Sequence, residues 1–288
     1  MAFDSLPEQP PPLHPEAAAY AERATALARE AASRVRHVMD VPYGDAPRQA
    51  LDIYLPAEDG GEPAPVLLFI HGGRWRAGMK EWNAFMAPVV TEWPAIMVSP
   101  SYGLSPDFRF PVQLHDILSA LAWVYENVAV YGGDPRRIFV SGHSAGGHLS
   151  ALATVRTDLY PQFGLPAEPV KACFPVSGTM NFDFETVEPG SEEEQIRKIL
   201  LADDAQAVEA SPIRHTTGNT VPFFLSYGDR DFPRVMATGE EMVGALRAAG
   251  ARVEHMVFPD CGHFDAHLAM AEADAAWYAT VKAWMQAA

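Results

Sequence analysis

Six short apolar runs punctuate this chain, each closing on Gly, Ser or Asp: PVLLFIHGG (65–73), AIMVSPSYG (95–103), RRIFVSGHS (136–144), VKACFPVSG (170–178), PFFLSYGD (222–229) and RVEHMVFPD (252–260). Helical patterns near 81–93, 112–130, 146–157, 236–249 and 265–286 alternate with them. Strands joined by helices cross over right-handedly and pair in parallel, so the expected fold is α/β, a mostly parallel central sheet with helices on both faces. LDIYLP (51–56) alternates apolar and polar residues and reads as a half-exposed edge strand. Ligands of such sheets bind beyond the carboxyl ends of the strands, which is where the chemistry should be sought.

One of those ends carries Gly142-His143-Ser144-Ala145-Gly146, a G-x-S-x-G pattern between the run RRIFV and the helical AGGHLSALATV. A serine on so tight a strand-to-helix turn needs small residues two positions away on either side, and the glycines supply them. The turn also aims the N–H of Ala145 and a helix N-terminus at charge developing on a substrate oxygen. A second end, HGGRW (71–75), offers N–H groups from Gly73 with Gly72 or Arg74, and Trp75 beside them as a pocket wall. His71 is expected to shape this loop rather than to move protons.

A serine hydroxyl needs a base, and the base an orienting acid. Of the ten histidines, His143 and His148 flank the turn but point away from the serine oxygen, and His14 and His37 precede the sheet. His263, after the last run and before the final helix, is the expected base, with His267 the weaker choice. For the acid, GDRDFP (228–233) offers Asp229 and Asp231; the loop position, Asp231, reaches toward His263, with Asp229 in reserve and Asp260 third.

Net charge is −16, from 21 Lys and Arg against 37 Asp and Glu, which argues against nucleic acid or anionic membrane as partners. The two cysteines, Cys173 and Cys261, give neither a disulfide framework nor a metal-ligand spacing, in keeping with a cytoplasmic protein. No targeting segment and no run of about 20 apolar residues stand out. Residues 1–37 read as a proline-rich arm, free or packed on the body or a partner, followed by a helix from Pro15 to Val38. Residues 38–288 read as a single domain, with 181–220 as a cap or loop section over the site.

The pieces VPYGDAPRQALDIYLP (41–56), HGGRW, GHSAGGHL (142–149), GDRDFPRV (228–235) and GHFD (262–265) resemble the α/β-hydrolase superfamily from 38 to 288, and within it the arylformamidase and small-esterase group. The resemblance implies Ser144, Asp231 and His263 as a catalytic triad, an acyl-enzyme mechanism and no metal or organic cofactor. It also implies a small-molecule ester or amide substrate; a homo-oligomer stays open. Arg74 stands where that group often has an aromatic residue. Trp75, Tyr102, Phe182 and Phe184 near the expected mouth point to an aryl substrate group, and a small acyl group, formyl or acetyl, is favoured. The alternatives are a carboxylesterase for longer acyl chains, a hydrolase-fold binder without catalysis, and a metal-dependent amidase drawing ligands from GHFDAH (262–267) and Asp260.

Overall fold

The computed structural model describes residue 3 and residues 6–58, 61–183 and 188–287, without the side chains of 192 and 193. Eight strands form one sheet: β1 (Arg36–Pro42), β2 (Ala50–Leu55), β3 (Ala64–Ile70), β4 (Ile96–Pro100), β5 (Gly133–His143), β6 (Val170–Val176), β7 (Phe223–Arg230) and β8 (Val253–Gly262), in the order β1-β2-β4-β3-β5-β6-β7-β8. The pairs β1–β2 and β2–β4 are antiparallel and the others parallel. The helices are α1 (Pro15–Ala32), α2 (Ala87–Thr91), α3 (Val112–Asn127), α4 (Ala145–Val155), α5 (Glu192–Leu200), α6 (Pro233–Ala248), α7 (Asp265–Leu268) and α8 (Ala276–Ala287).

Side chains of β3 alternate between two apolar layers. Val66, Leu68 and Ile70 pack with α3 and α4; Leu67 and Phe69 pack with α1, α2 and α8. Burial on both faces, worth roughly 1.5–3 kcal/mol per large apolar side chain, makes β3 the spine of the sheet. The chain leaves β3 for β4 on one side and returns to β5 on the other, so the reversal in strand order falls between the ends of β3 and β5. In open α/β sheets that crevice is the binding position.

The sheet edge differs from the expectation. LDIYLP is second in order and buried, while the edge is β1, whose residues are mostly exposed. The polar position that made 51–56 look half-exposed is Asp52, which is fully buried because its carboxylate pairs with Lys80 Nζ at 2.8 Å. The first helix stops at Ala32 rather than Val38, since 36–42 pair with β2. The stretch 265–286 is two helices, α7 and α8, with a break between them. No helix among the described residues is long and apolar enough to cross a membrane.

Candidate active site

β5 ends at His143 and α4 begins at Ala145, leaving Ser144 alone on the turn with φ 57° and ψ −117°. An L residue enters this region at a cost of about 1–3 kcal/mol and stays there only where its surroundings dictate it. They do so here. The Ser144 N–H donates to Val176 O at 2.9 Å. A Cβ on Gly146 would lie 2.0 Å from Ile70 O, and one on Gly142 2.5 Å from the Gly146 carbonyl. The two glycines of G-x-S-x-G are therefore demanded by backbone packing against the end of β3.

Ser144, His263 and Asp231 stand on the ends of β5, β8 and β7 and form one hydrogen-bonded chain. His263 Nε2 is 2.7 Å from Ser144 Oγ, and His263 Nδ1 is 2.7 Å from Asp231 Oδ1. A carboxylate only accepts, so the ring proton sits on Nδ1 and the bare Nε2 faces the serine hydroxyl. Asp231 also takes the Phe232 N–H at 2.7 Å on Oδ1 and the Ser177 hydroxyl at 2.5 Å on Oδ2. Burial alone would raise the Asp231 carboxyl, but the hydrogen bond and charge of His263, with the Ser177 and Phe232 donors, hold it below the usual range. Asp229 is exposed and accepts the Cys261 N–H at 3.2 Å, and Asp260 pairs with Arg230.

Residues 73–77 close a tight loop, with the Arg76 and Ala77 N–H groups donating to Gly73 O at 3.2 and 2.9 Å. Gly73 has φ 121°, and a Cβ there would be 2.1 Å from Ala77 O. Arg74 and Trp75 follow at φ 56° and 57°. Gly72 abuts Ser144: a Cβ on it would lie 3.1 Å from Ser144 Cβ. A cavity of about 430 Å³ opens over these groups, with Gly73, Arg74, Trp75, Ser144, Ala145 and His263 in its wall.

Trp75 is buried, its ring 5.5 Å from Phe182, and its Nε1–H donates to His148 Nδ1 at 3.1 Å. That fixes the His148 tautomer, whose Nε2–H donates to Ala210 O at 2.7 Å. The Trp75 wall of the cavity is thus anchored to the 181–220 section through a neutral imidazole, which burial pushes down to about 4. Tyr102 and Phe182 are not among the described lining residues. Tyr102 donates to His71 O at 3.1 Å and stacks on the His71 ring at 4.4 Å, while Phe182 backs Trp75. Both are large, flat side chains that close the core more effectively than they would edge a solvent-filled mouth. Phe184 lies outside the described residues.

His71, His143 and His267 are also held by structural contacts. His71 Nδ1 meets Gly72 O at 2.7 Å and His143 Nε2 meets the His263 carbonyl at 2.9 Å. Burial pushes the two down to about 4 and about 3. His267 Nδ1 meets Tyr20 OH at 2.8 Å. With His267 held by Tyr20 and Asp260 by Arg230, the metal-ligand set weighed from the sequence is dispersed, and no group of three potential ligands occurs among the described residues.

Two contributors escaped the sequence. Ser177, at the end of β6 with φ 52°, hides in the ordinary string PVSG; a polar residue closing a buried apolar run was the available signal. The other is the arm itself, whose residues 8–14 line the cavity. Its prolines said only that it is extended.

Residues 51–242 match the BD-FAE family. Among curated proteins, esterase LipQ of Mycobacterium tuberculosis is 34% identical over 78% of this chain and 56% of its own length. Esterase LipC of the same organism is 33% identical over 80% and 60%. The chain thus spans somewhat over half the length of these relatives. Among solved structures, the hyperthermophilic esterase of Pyrobaculum calidifontis superposes with a TM-score of 0.75 at 19% identity, covering 94% of this chain and 92% of that one. A truncated carbohydrate esterase from gut microbiota gives 0.74 at 20%, covering 88% and 95%. The fold is that of an α/β-hydrolase, and the chain belongs to the BD-FAE family.

Proposed function

We propose that the protein is a serine hydrolase that cleaves carboxylic esters through an acyl-enzyme, with Ser144 as nucleophile, His263 as base and acid, and Asp231 as the orienting carboxylate. The observation that carries this reading is the pair of 2.7 Å hydrogen bonds on the two ring nitrogens of His263. His263 Nε2 takes the serine proton as Oγ attacks the carbonyl carbon, and the electron pair moves onto the carbonyl oxygen. The N–H groups of Gly73 and Ala145, backed by Gly72 and the N-terminus of α4, receive that oxygen. Collapse expels the alcohol, protonated by His263, and water repeats the sequence to free the acid. The esterase names of the relatives support the ester bond.

A small acyl group is favoured, because Trp75 is immobilised beside the oxyanion loop by His148 and Phe182. The same immobilised wall supports a second reading, an aryl formamide, whose formyl group is the smallest acyl of all and whose amine would leave by the same steps. The thiols of Cys173 and Cys261, both free, support a reducing compartment, and we place the enzyme in the cytoplasm. A panel of p-nitrophenyl esters beside N-formylkynurenine tests the substrate. kcat/KM should fall steeply from acetyl to hexanoyl, with Trp75→Leu flattening the slope. An optimum at hexanoyl with no turnover of N-formylkynurenine would leave a carboxylesterase of broader acyl range.

A further inference from the structure

The arm ahead of α1 runs across the cavity mouth. At one end it is pinned to the oxyanion loop: Gln9 Oε1 accepts the Gly78 N–H at 2.7 Å, and Pro11 O accepts from Arg76 Nη1 at 2.9 Å. At the other end the His14 ring lies 5.3 Å from Phe232 and 5.9 Å from Phe264. Those two rings flank His263 at 4.6 and 5.2 Å. The strap therefore spans from the oxyanion side to the base side, and Pro10, Pro11, Pro12 and Leu13 form cavity wall between the ends.

Chemistry decides which part of a substrate meets this wall. On the esterase reading above, on which this inference rests, the departing group collects its proton from His263 Nε2. It must therefore leave past His263, along the cavity wall that the arm forms. The prolines bring no N–H donor and little freedom to lose on binding, so the surface is preorganised and apolar. A flat aryl face suits such a wall.

We propose that residues 9–14 form the leaving-group subsite and set the selectivity for the alcohol or amine half of the substrate, favouring flat aryl groups. The 181–220 section, read from the sequence as a cap or loop over the site, contributes Ile196 to the wall.

Two full-length variants test this: the triple Pro10→Gly, Pro11→Gly, Pro12→Gly, which softens the wall, and Gln9→Ala, which removes one pin. Each is assayed on acetates of varied alcohol (methyl, cyclohexyl, phenyl, 2-naphthyl) and on p-nitrophenyl esters of varied acyl length. The expected result is a drop of about three- to tenfold in the naphthyl-to-methyl ratio of kcat/KM, with the acyl-length ranking unchanged. Should the triple variant fail to fold, the same shift, smaller, is expected in Gln9→Ala. Wild-type alcohol selectivity in the folded variants, or parallel changes in both series, would overturn the assignment. A wild type inactive on both series would instead overturn the esterase reading and this inference with it.

Discussion

Ser144, His263 and Asp231 stand on three strand ends of one sheet, whereas the wall facing them, residues 9–14, belongs to no sheet. The strand ends are fixed by ladders and by backbone contacts so close that Gly142 and Gly146 admit no side chain. Residues 9–14 are held by hydrogen bonds to Arg76 and Gly78 and by ring contacts at the start of α1. The contrast separates two tasks. On the proposed mechanism, proton transfer needs groups held within a few tenths of an ångström and takes them from the rigid sheet. Selectivity needs only a surface of the right shape, and a segment outside the sheet can change it without disturbing the chemistry.

That division is broken most forcefully at the sheet side. Ser144→Ala should lower kcat by about 10⁴-fold or more with the fold intact, measured beside circular dichroism; a folded variant with near-wild-type turnover would remove the strand-end account. Next comes the choice of acid. Asp231→Asn should cost on the order of 10³- to 10⁴-fold, because the amide favours the wrong imidazole tautomer. Asp229→Asn, exposed and bound only to a backbone N–H, should cost little by comparison. The reverse ranking would move the acid to Asp229.

A milder effect sharpens the picture of how Asp231 is held. Ser177→Ala deletes a charge-assisted hydrogen bond, and kcat should fall about tenfold with KM nearly unchanged. An equal rise in KM, or a loss confined to thermal stability, would make Ser177 only a packing residue.

The smallest effect on activity is a stability one. His71, His143, His148 and His267 are buried neutral, with protonation pushed below the ordinary imidazole range. Their folded-state pKa values lie below the unfolded ones, so their contribution is full above about pH 6.5 and is lost as pH falls toward 4. Each should remove on the order of 1 kcal/mol of unfolding free energy between pH 7 and 5, read by denaturant titration. A flat profile over that interval would mean that these rings take up protons in the fold as readily as in the unfolded chain.

The parallel sheet was legible because its strands are buried on both faces and read as continuous apolar runs, PVLLFI above all. The two glycines of G-x-S-x-G were legible as well, because the turn after β5 leaves no room for a Cβ at Gly142 or Gly146. β1 was not, since an exposed edge such as RHVMDVP carries no apolar pattern. Asp52 misled because a buried ion pair looks like a surface residue until Lys80, 28 positions later, is placed beside it. Tyr102 and Phe182 misled in the other direction, as aromatics near a mouth in sequence that face the core in space. The arm was opaque because its contacts with Gly78, Arg76, Phe232 and Phe264 are made with residues far away in the sequence, the nearest of them 65 positions on.

The central claim, that Ser144 is activated through His263, is tested most directly by covalent labelling. After reaction with a fluorophosphonate, peptide mass spectrometry should find one adduct per chain, on Ser144, and His263→Ala should abolish it. An unlabelled Ser144 in active enzyme, or equally fast labelling in folded His263→Ala, would contradict the mechanism.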